Sequence, residues 1–188
     1  MTATVYLVRH ATPDWSRTDL RYDIPPGPPL TPAGEAEAAQ LGAFLKSMGV
    51  VHLYASPLER TLRTATLAAE VAGVGFDIVD AIAEWQRGEA EDDVLQRVRP
   101  MVERVLDESQ SAPRALITHG GPIRLLLQDL GLHQAEVDFY RRQFDRDNPL
   151  PPAGVWRITR RPDGQIEKPE LVFAPQGFTI YVPAVVYV

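Results

Sequence analysis

A three-layer α/β/α sandwich around a mainly parallel sheet is the architecture this sequence predicts. Three observations carry that reading. Short apolar runs of strand length alternate with longer amphipathic stretches, the pattern of strand-helix units. Several of those runs stop abruptly at polar residues and turn signals, as at Arg9-His10, Ser56-Pro57 and His119-Gly120-Gly121-Pro122. The first run, Thr4-Val5-Tyr6-Leu7-Val8, is too short for a helix and apolar on both faces, as suits a strand in the middle of a parallel sheet. In such sheets ligands sit in the crevice outside the carboxyl ends of the strands. Arg9 and His10 fall at that edge. Alone, an Arg-His pair at a strand end is commonplace, and the rest of the chain decides what it means.

Residues 11–30 hold five prolines, scattered charges and Trp15 without a sustained period, which predicts a long ordered loop. Thr31-Pro32 opens a helix over about 32–48, with Thr31 as N-cap, an apolar side of Ala36, Ala39, Leu41, Phe44, Leu45 and Met48, and Gly49 as its stop. Val50–Ala55 is a second strand. Ser56-Pro57-Leu58-Glu59 has the residue types of a capping box, with Ser56 as N-cap and Glu59 reaching back. The helix that follows ends near Gly73 and carries Arg60 in its first turn, beside the strand end.

Phe76-Asp77-Ile78-Val79 is a third strand, and Glu84 follows it. From Asp92 a helix places Val94, Leu95, Val98, Met101, Val102, Val105 and Leu106 inward as core packing, with Pro100 either starting a second segment or kinking the first. Arg114–Thr118 is a fourth strand, running into His119 and then a helix from about Ile123 to Leu130. The two glycines between them permit close approach of a ligand to the backbone, and a helix N-terminus favours an anion. Residues 132–148 show no pattern. Val155–Thr159 and Leu171–Phe173 read as strands around Pro162-Asp163-Gly164, extending the sheet at an edge. The apolar tail Phe178–Val182 and Val185–Val188 calls for a partner surface, either the chain's own domain or a second copy, and motivates the expectation of a homodimer.

With 188 residues there is enough chain for one domain over 1–188, whose last part, 150–188, is edge strands and tail. Hydrophobic residues at 45% and charged residues at 23% argue against a disordered chain. A net charge of −6 gives no electrostatic support to nucleic-acid or anionic-membrane binding, so an anionic ligand must be small and locally held. The absence of cysteine rules out disulfides, thiolate zinc sites and a cysteine nucleophile. The apolar run before Arg9 is too short for a signal peptide and no window approaches a membrane span, so a cytoplasmic location is expected.

The junctions thus bring Arg9, His10, Arg60 and His119 to one sheet edge, with Glu84 nearby. Two guanidinium groups, two imidazoles and a carboxyl are suited to phosphoryl transfer through a covalent histidine. A neutral His10 attacks phosphorus through one ring nitrogen while a backbone carbonyl holds the proton on the other. Arg9, Arg60 and His119 meet the charge that spreads over the equatorial oxygens. Glu84, or one of Glu89, Glu91, Asp92 and Asp93 close by, would protonate the leaving oxygen and then activate water. This chemistry requires no cofactor and no metal. A metal site of His10, His119 and Glu84 ranks last, because the arginines beside it disfavour a cation.

The motifs Leu7-Val8-Arg9-His10-Ala11-Thr12, Pro29-Leu30-Thr31-Pro32-Ala33-Gly34, Ser56–Ala65, Glu84 and Thr118-His119-Gly120-Gly121 occur in the order found in the histidine phosphatase (phosphoglycerate mutase-like) superfamily, which residues 3–130 resemble. The resemblance implies a phosphoglycerate mutase-like fold, His10 as the phosphorylated nucleophile, Arg9, Arg60, His119 and Gly120 around the phosphate, and Glu84 as acid and base. Two departures stand out: Ala11 replaces the usual glycine, and Ser16 follows Trp15 where asparagine is common. Only 34 residues separate Glu84 from His119, leaving little room for the lid of a mutase and favouring hydrolysis of a small phosphomonoester. A phosphoglycerate-type mutase and a non-catalytic phospholigand-binding member are the alternatives. Trp15, Arg17, Arg21, Tyr22 and Arg87 are candidates for the rim of a substrate site, while His52 and His133 read as surface or packing residues and Arg63 and Arg124 as solvated helix positions.

Overall fold

The computed structural model describes residues 1–181. Strands β1 (Ala3–Arg9), β2 (His52–Ala55), β3 (Gly75–Ile78), β4 (Arg114–Thr118), β5 (Val155–Arg160) and β6 (Glu170–Phe173) form one six-stranded sheet in the order β3-β2-β4-β1-β5-β6. The first four are parallel to one another, whereas β5 lies antiparallel to β1 and β6 antiparallel to β5. The edges are β3 and β6, so of the two C-terminal strands expected at an edge only β6 lies there; β5 is enclosed, which explains why Val155, Trp156 and Ile158 are fully buried.

Alternation along β1 divides the core. Tyr6 and Val8 face helices α1 (Pro32–Ser47) and α2 (Glu59–Ala72), where they meet Leu41, Leu45 and Ala65. Val5 and Leu7 face the opposite layer of α3 (Glu91–Glu108), α4 (Gly120–Asp129) and α5 (Gln134–Arg141), meeting Val98, Val102 and Leu126. Two apolar faces on one strand thus require two helical layers. The α1–α2 pair is close because of Gly42: a Cβ there would stand 2.7 Å from the Ala68 carbonyl oxygen.

Local signals set most element ends. Thr31 caps α1, its hydroxyl accepting from Gly34 N at 3.0 Å, and a left-handed Gly73 ends α2. The expected capping box at Ser56 is not formed. Helix α2 begins at Glu59, after an extended Leu58 with no side-chain cap. Leu58 is drawn into the core, and the Glu59 amide donates instead to the Pro26 carbonyl at 2.7 Å. A tertiary contact from the long loop has replaced the local cap. Helix α3 runs unbroken across Pro100, and α4 starts at Gly120, three residues earlier than expected, so both glycines lie in its first turn. The patternless stretch contains α5 and a short 3₁₀ turn at Asp145–Asp147. Of the apolar tail, Phe178 and Tyr181 are exposed; Val182 and Val185–Val188, on which the dimer expectation mainly rests, lie outside the described residues.

Candidate active site

The parallel register sets Arg9 opposite Thr118, so the next residue of each strand, His10 and His119, emerges at the same carboxyl edge. Their rings lie 5.3 Å apart between centroids. Arg60 arrives from the first turn of α2, and Glu84 from the segment after a 3₁₀ turn at Asp80–Ile82. All five predicted side chains converge there. Four are essentially inaccessible and Glu84 is 7% exposed. Polar groups buried to this degree must be partnered or must await a partner.

Around His10 the partners define a proton position. Nδ1 lies 2.7 Å from the Ala11 carbonyl oxygen, which can only accept, so the ring proton sits on Nδ1 and Nε2 carries the lone pair. That lone pair faces the Tyr22 hydroxyl at 3.0 Å. Ala11 fits where a glycine is usual because its backbone does not enter the left-handed region; its amide donates to Thr64 Oγ1 at 3.0 Å. Burial, followed by the Arg60 and Arg9 charges, holds the His10 pKa well below its ordinary value. His119 is lowered well below its ordinary value by burial and then Arg60. It accepts at Nδ1 from Arg60 Nη2 (3.1 Å) and donates from Nε2 to Ser56 Oγ (2.7 Å), the residue expected as a helix cap. Both imidazoles are therefore neutral near pH 7.

Glu84 is pushed the other way. Burial raises its pKa, against the smaller opposing pull of Arg60, whose Nη2 lies 3.3 Å from Oε2. Trp85 N donates to Oε1 at 2.9 Å and fixes the carboxyl. The segment carrying Glu84 is held from behind by Arg97 of α3, which donates to the carbonyls of Ala81, Ala83 and Glu84 and pairs with Glu89. Glu89, one of the competing carboxylates, is committed to that pair, and Glu91, Asp92 and Asp93 are exposed at the start of α3. Arg97 went unnoticed in the sequence because its helix reads as core packing.

The two arginines differ. Arg60 donates from Nη1 to the Tyr22 carbonyl at 2.8 Å, and its guanidinium carbon lies 3.6 Å over the Tyr22 ring. Arg9 makes a forked pair with Asp145, Nη1 to Oδ1 at 2.6 Å and Nη2 to Oδ2 at 2.9 Å, and Nη1 also reaches the Leu150 carbonyl. Asp145 comes from the stretch without sequence pattern. Among the described residues the Nε donors of both arginines are buried without a partner, each an omission that typically costs about 1–3 kcal/mol.

Over this floor lies a roof. Trp15 stacks on Tyr22 with 5.0 Å between centroids, and the Arg146 guanidinium sits 3.5 Å over Trp15. Burial, with Glu84 nearby, pushes the Tyr22 phenol up to about 12, so it remains a donor. A cavity of about 540 Å3 runs between roof and floor, lined in part by Trp15, Arg17, Tyr22, Glu84, Arg146 and Asn148, with Gly120 and Gly121 at its base. Arg21, Tyr22 and Arg87 line a second depression of about 810 Å3. Ser16 is turned to Asp14 on the surface. Arg63 pairs with Glu35, Arg124 with Glu91 and His52 with Asp77, away from the floor. Among the described residues no three His, Asp or Glu side chains are disposed to hold a metal ion.

Known proteins share the sequence pattern and the fold of this chain. The family model described as "Histidine phosphatase superfamily (branch 1)" matches residues 5–93 and 85–164. "Probable phosphoglycerate mutase GpmB" of Salmonella typhi is 29% identical over 149 residues, covering 62% of this chain and 69% of the relative. Among solved structures, a phosphoglycerate mutase from Bacillus anthracis superposes with a TM-score of 0.72 at 16% identity, over 91% of this chain and 92% of its own. A mycobacterial glucosyl-3-phosphoglycerate phosphatase gives 0.68 at 17% identity, over 91% and 97%. These two share the fold; it is the family match, spanning most of the chain and all five converging side chains, that makes the protein a member of the histidine phosphatase superfamily.

Proposed function

We propose that the protein is a phosphomonoester hydrolase that works through a phosphohistidine on His10 without a metal ion. The observation that carries this reading is the neutral, tautomerically fixed His10, buried beside the guanidinium groups of Arg9 and Arg60 with its Nε2 lone pair beneath the Tyr22 hydroxyl. Nε2 attacks phosphorus in line, the phosphorus–oxygen ester bond breaks, and the leaving oxygen takes the proton of Glu84. Arg9, Arg60 and the amides at the start of α4, Gly120 included, receive the equatorial oxygens. Arrival of the anion raises the His119 pKa, turning it into a further donor. Water then attacks phosphorus, passes a proton to Glu84, and the nitrogen–phosphorus bond electrons return to Nε2.

Hydrolysis is favoured over mutase chemistry because residues 85–118 are taken up by a loop, α3 and β4. The name of the curated relative favours a mutase, which would move labelled phosphate within the substrate instead of releasing it. A small phosphomonoester in the cytoplasm is the proposed substrate; among the described residues no helix is long and apolar enough to cross a membrane. The test is mass spectrometry after a neutral quench during turnover of an aryl phosphate in EDTA. A phosphoryl adduct on His10, with turnover reduced on the order of 10^4-fold in His10→Ala, is expected. Turnover by His10→Ala at the wild-type rate would overturn the assignment.

A further inference from the structure

The Asp145 carboxylate occupies the fork of Arg9 in the way a ligand anion would, with two parallel hydrogen bonds to a guanidinium that is itself inaccessible. It is brought there by a turn whose next two residues, Arg146 and Asp147, have φ of 50° and 55°, a conformation non-glycine residues avoid unless the surroundings impose it. The turn is joined to a column that rises from the floor: Arg60, Tyr22, Trp15 and Arg146, in successive face contact. The column joins the loop of residues 14–28 to the turn at 145–147. When it is stacked, Tyr22 Oη covers His10 Nε2 while Asp145 covers Arg9.

We propose that Asp145 is a specificity-determining residue, an internal carboxylate that competes for Arg9 and admits only anions able to outbid it. This rests on the phosphohistidine reading of the same site. A carboxylate-bearing ligand offers Arg9 no more than Asp145 already does. A phosphomonoester dianion offers a third oxygen and more charge, reaching Arg60 and the start of α4 as well, and so exchanges with Asp145 at a gain. Because the column links the two segments, release of Asp145 uncovers His10 at the same time.

The experiment is calorimetric binding of inorganic phosphate, alongside steady-state hydrolysis of an aryl phosphate, by wild type, Asp145→Asn and Arg146→Ala. If the carboxylate fills the site nine parts in ten, its removal tightens phosphate binding about tenfold. KM should fall in Asp145→Asn by a similar factor with little change in kcat, a split that loss of a merely structural contact would not produce. Arg146→Ala, which leaves the Arg9 pair chemically intact, should shift both quantities in the same direction by less, and it decides the matter should Asp145→Asn not fold. Weaker or unchanged phosphate binding in the variants overturns the role of Asp145 while leaving the hydrolase reading in place. No phosphate binding by any of the three proteins removes the phosphoryl site and this proposal with it.

Discussion

The floor and the roof of the cavity are built by different physics. The floor hangs from β1, β4 and the start of α2, and its side chains are buried against apolar layers on both sides of the sheet. The roof is made of residues 14–28 and 142–148; it meets the floor at Tyr22 and Asp145 and otherwise holds together by stacking and by exposed ion pairs within the loop such as Arg17–Asp19 and Arg21–Asp23. Interiors tolerate few arrangements, whereas exposed pairs contribute little and break readily. Under the proposed mechanism the difference is a division of labour: groups that keep their geometry stand at strand ends, on α2 or, for Glu84, on a segment braced by Arg97, and groups that yield to a substrate stand on unbraced loops.

Variants can be ranked by how deeply they cut into that division. Arg60→Ala reaches furthest, because one guanidinium joins Glu84, His119 and Tyr22. It should lower kcat on the order of 10^3-fold or more and stability by about 3 kcal/mol, read from turnover and a denaturant melt. A variant that kept its activity would show the floor to be less interdependent than its contacts.

Glu84→Gln comes next, at about 10^2- to 10^4-fold in kcat, with a larger loss on alkyl than on aryl phosphates because an aryl oxide departs without a proton. The raised pKa keeps the acid protonated above the ordinary carboxyl range, so wild-type activity should decline as pH rises through that raised value. The variant should lose this alkaline limb in a pH-rate profile. An unaltered limb would assign the proton to another group.

Arg97→Ala tests the support beneath the floor. Releasing the carbonyls of Ala81, Ala83 and Glu84 should lower kcat about ten- to a hundredfold while leaving KM nearly unchanged. Arg17→Ala, on the roof, should alter neither the melting temperature nor kcat measurably, its pair with Asp19 being exposed on both sides. A clear rise in KM there would make Arg17 a substrate contact and the roof more than a cover.

Sequence by itself determined the floor. Strand runs ending at Arg9-His10 and His119, and Arg60 at a helix start, are local patterns, since a parallel strand's length, its polar stop and the following turn are adjacent in the chain. The same patterns overreached at Ser56, where burial of Leu58 and a hydrogen bond to His119 displaced the local cap. Tertiary structure alone decided the roof and the supports. Asp145 meets Arg9 across 136 positions of sequence, and Arg97 meets the Glu84 segment from a helix whose apolar period announces only core. Such contacts leave no periodicity, because a salt bridge or a cation over an aromatic ring asks for two groups in one place and nothing of the residues between them.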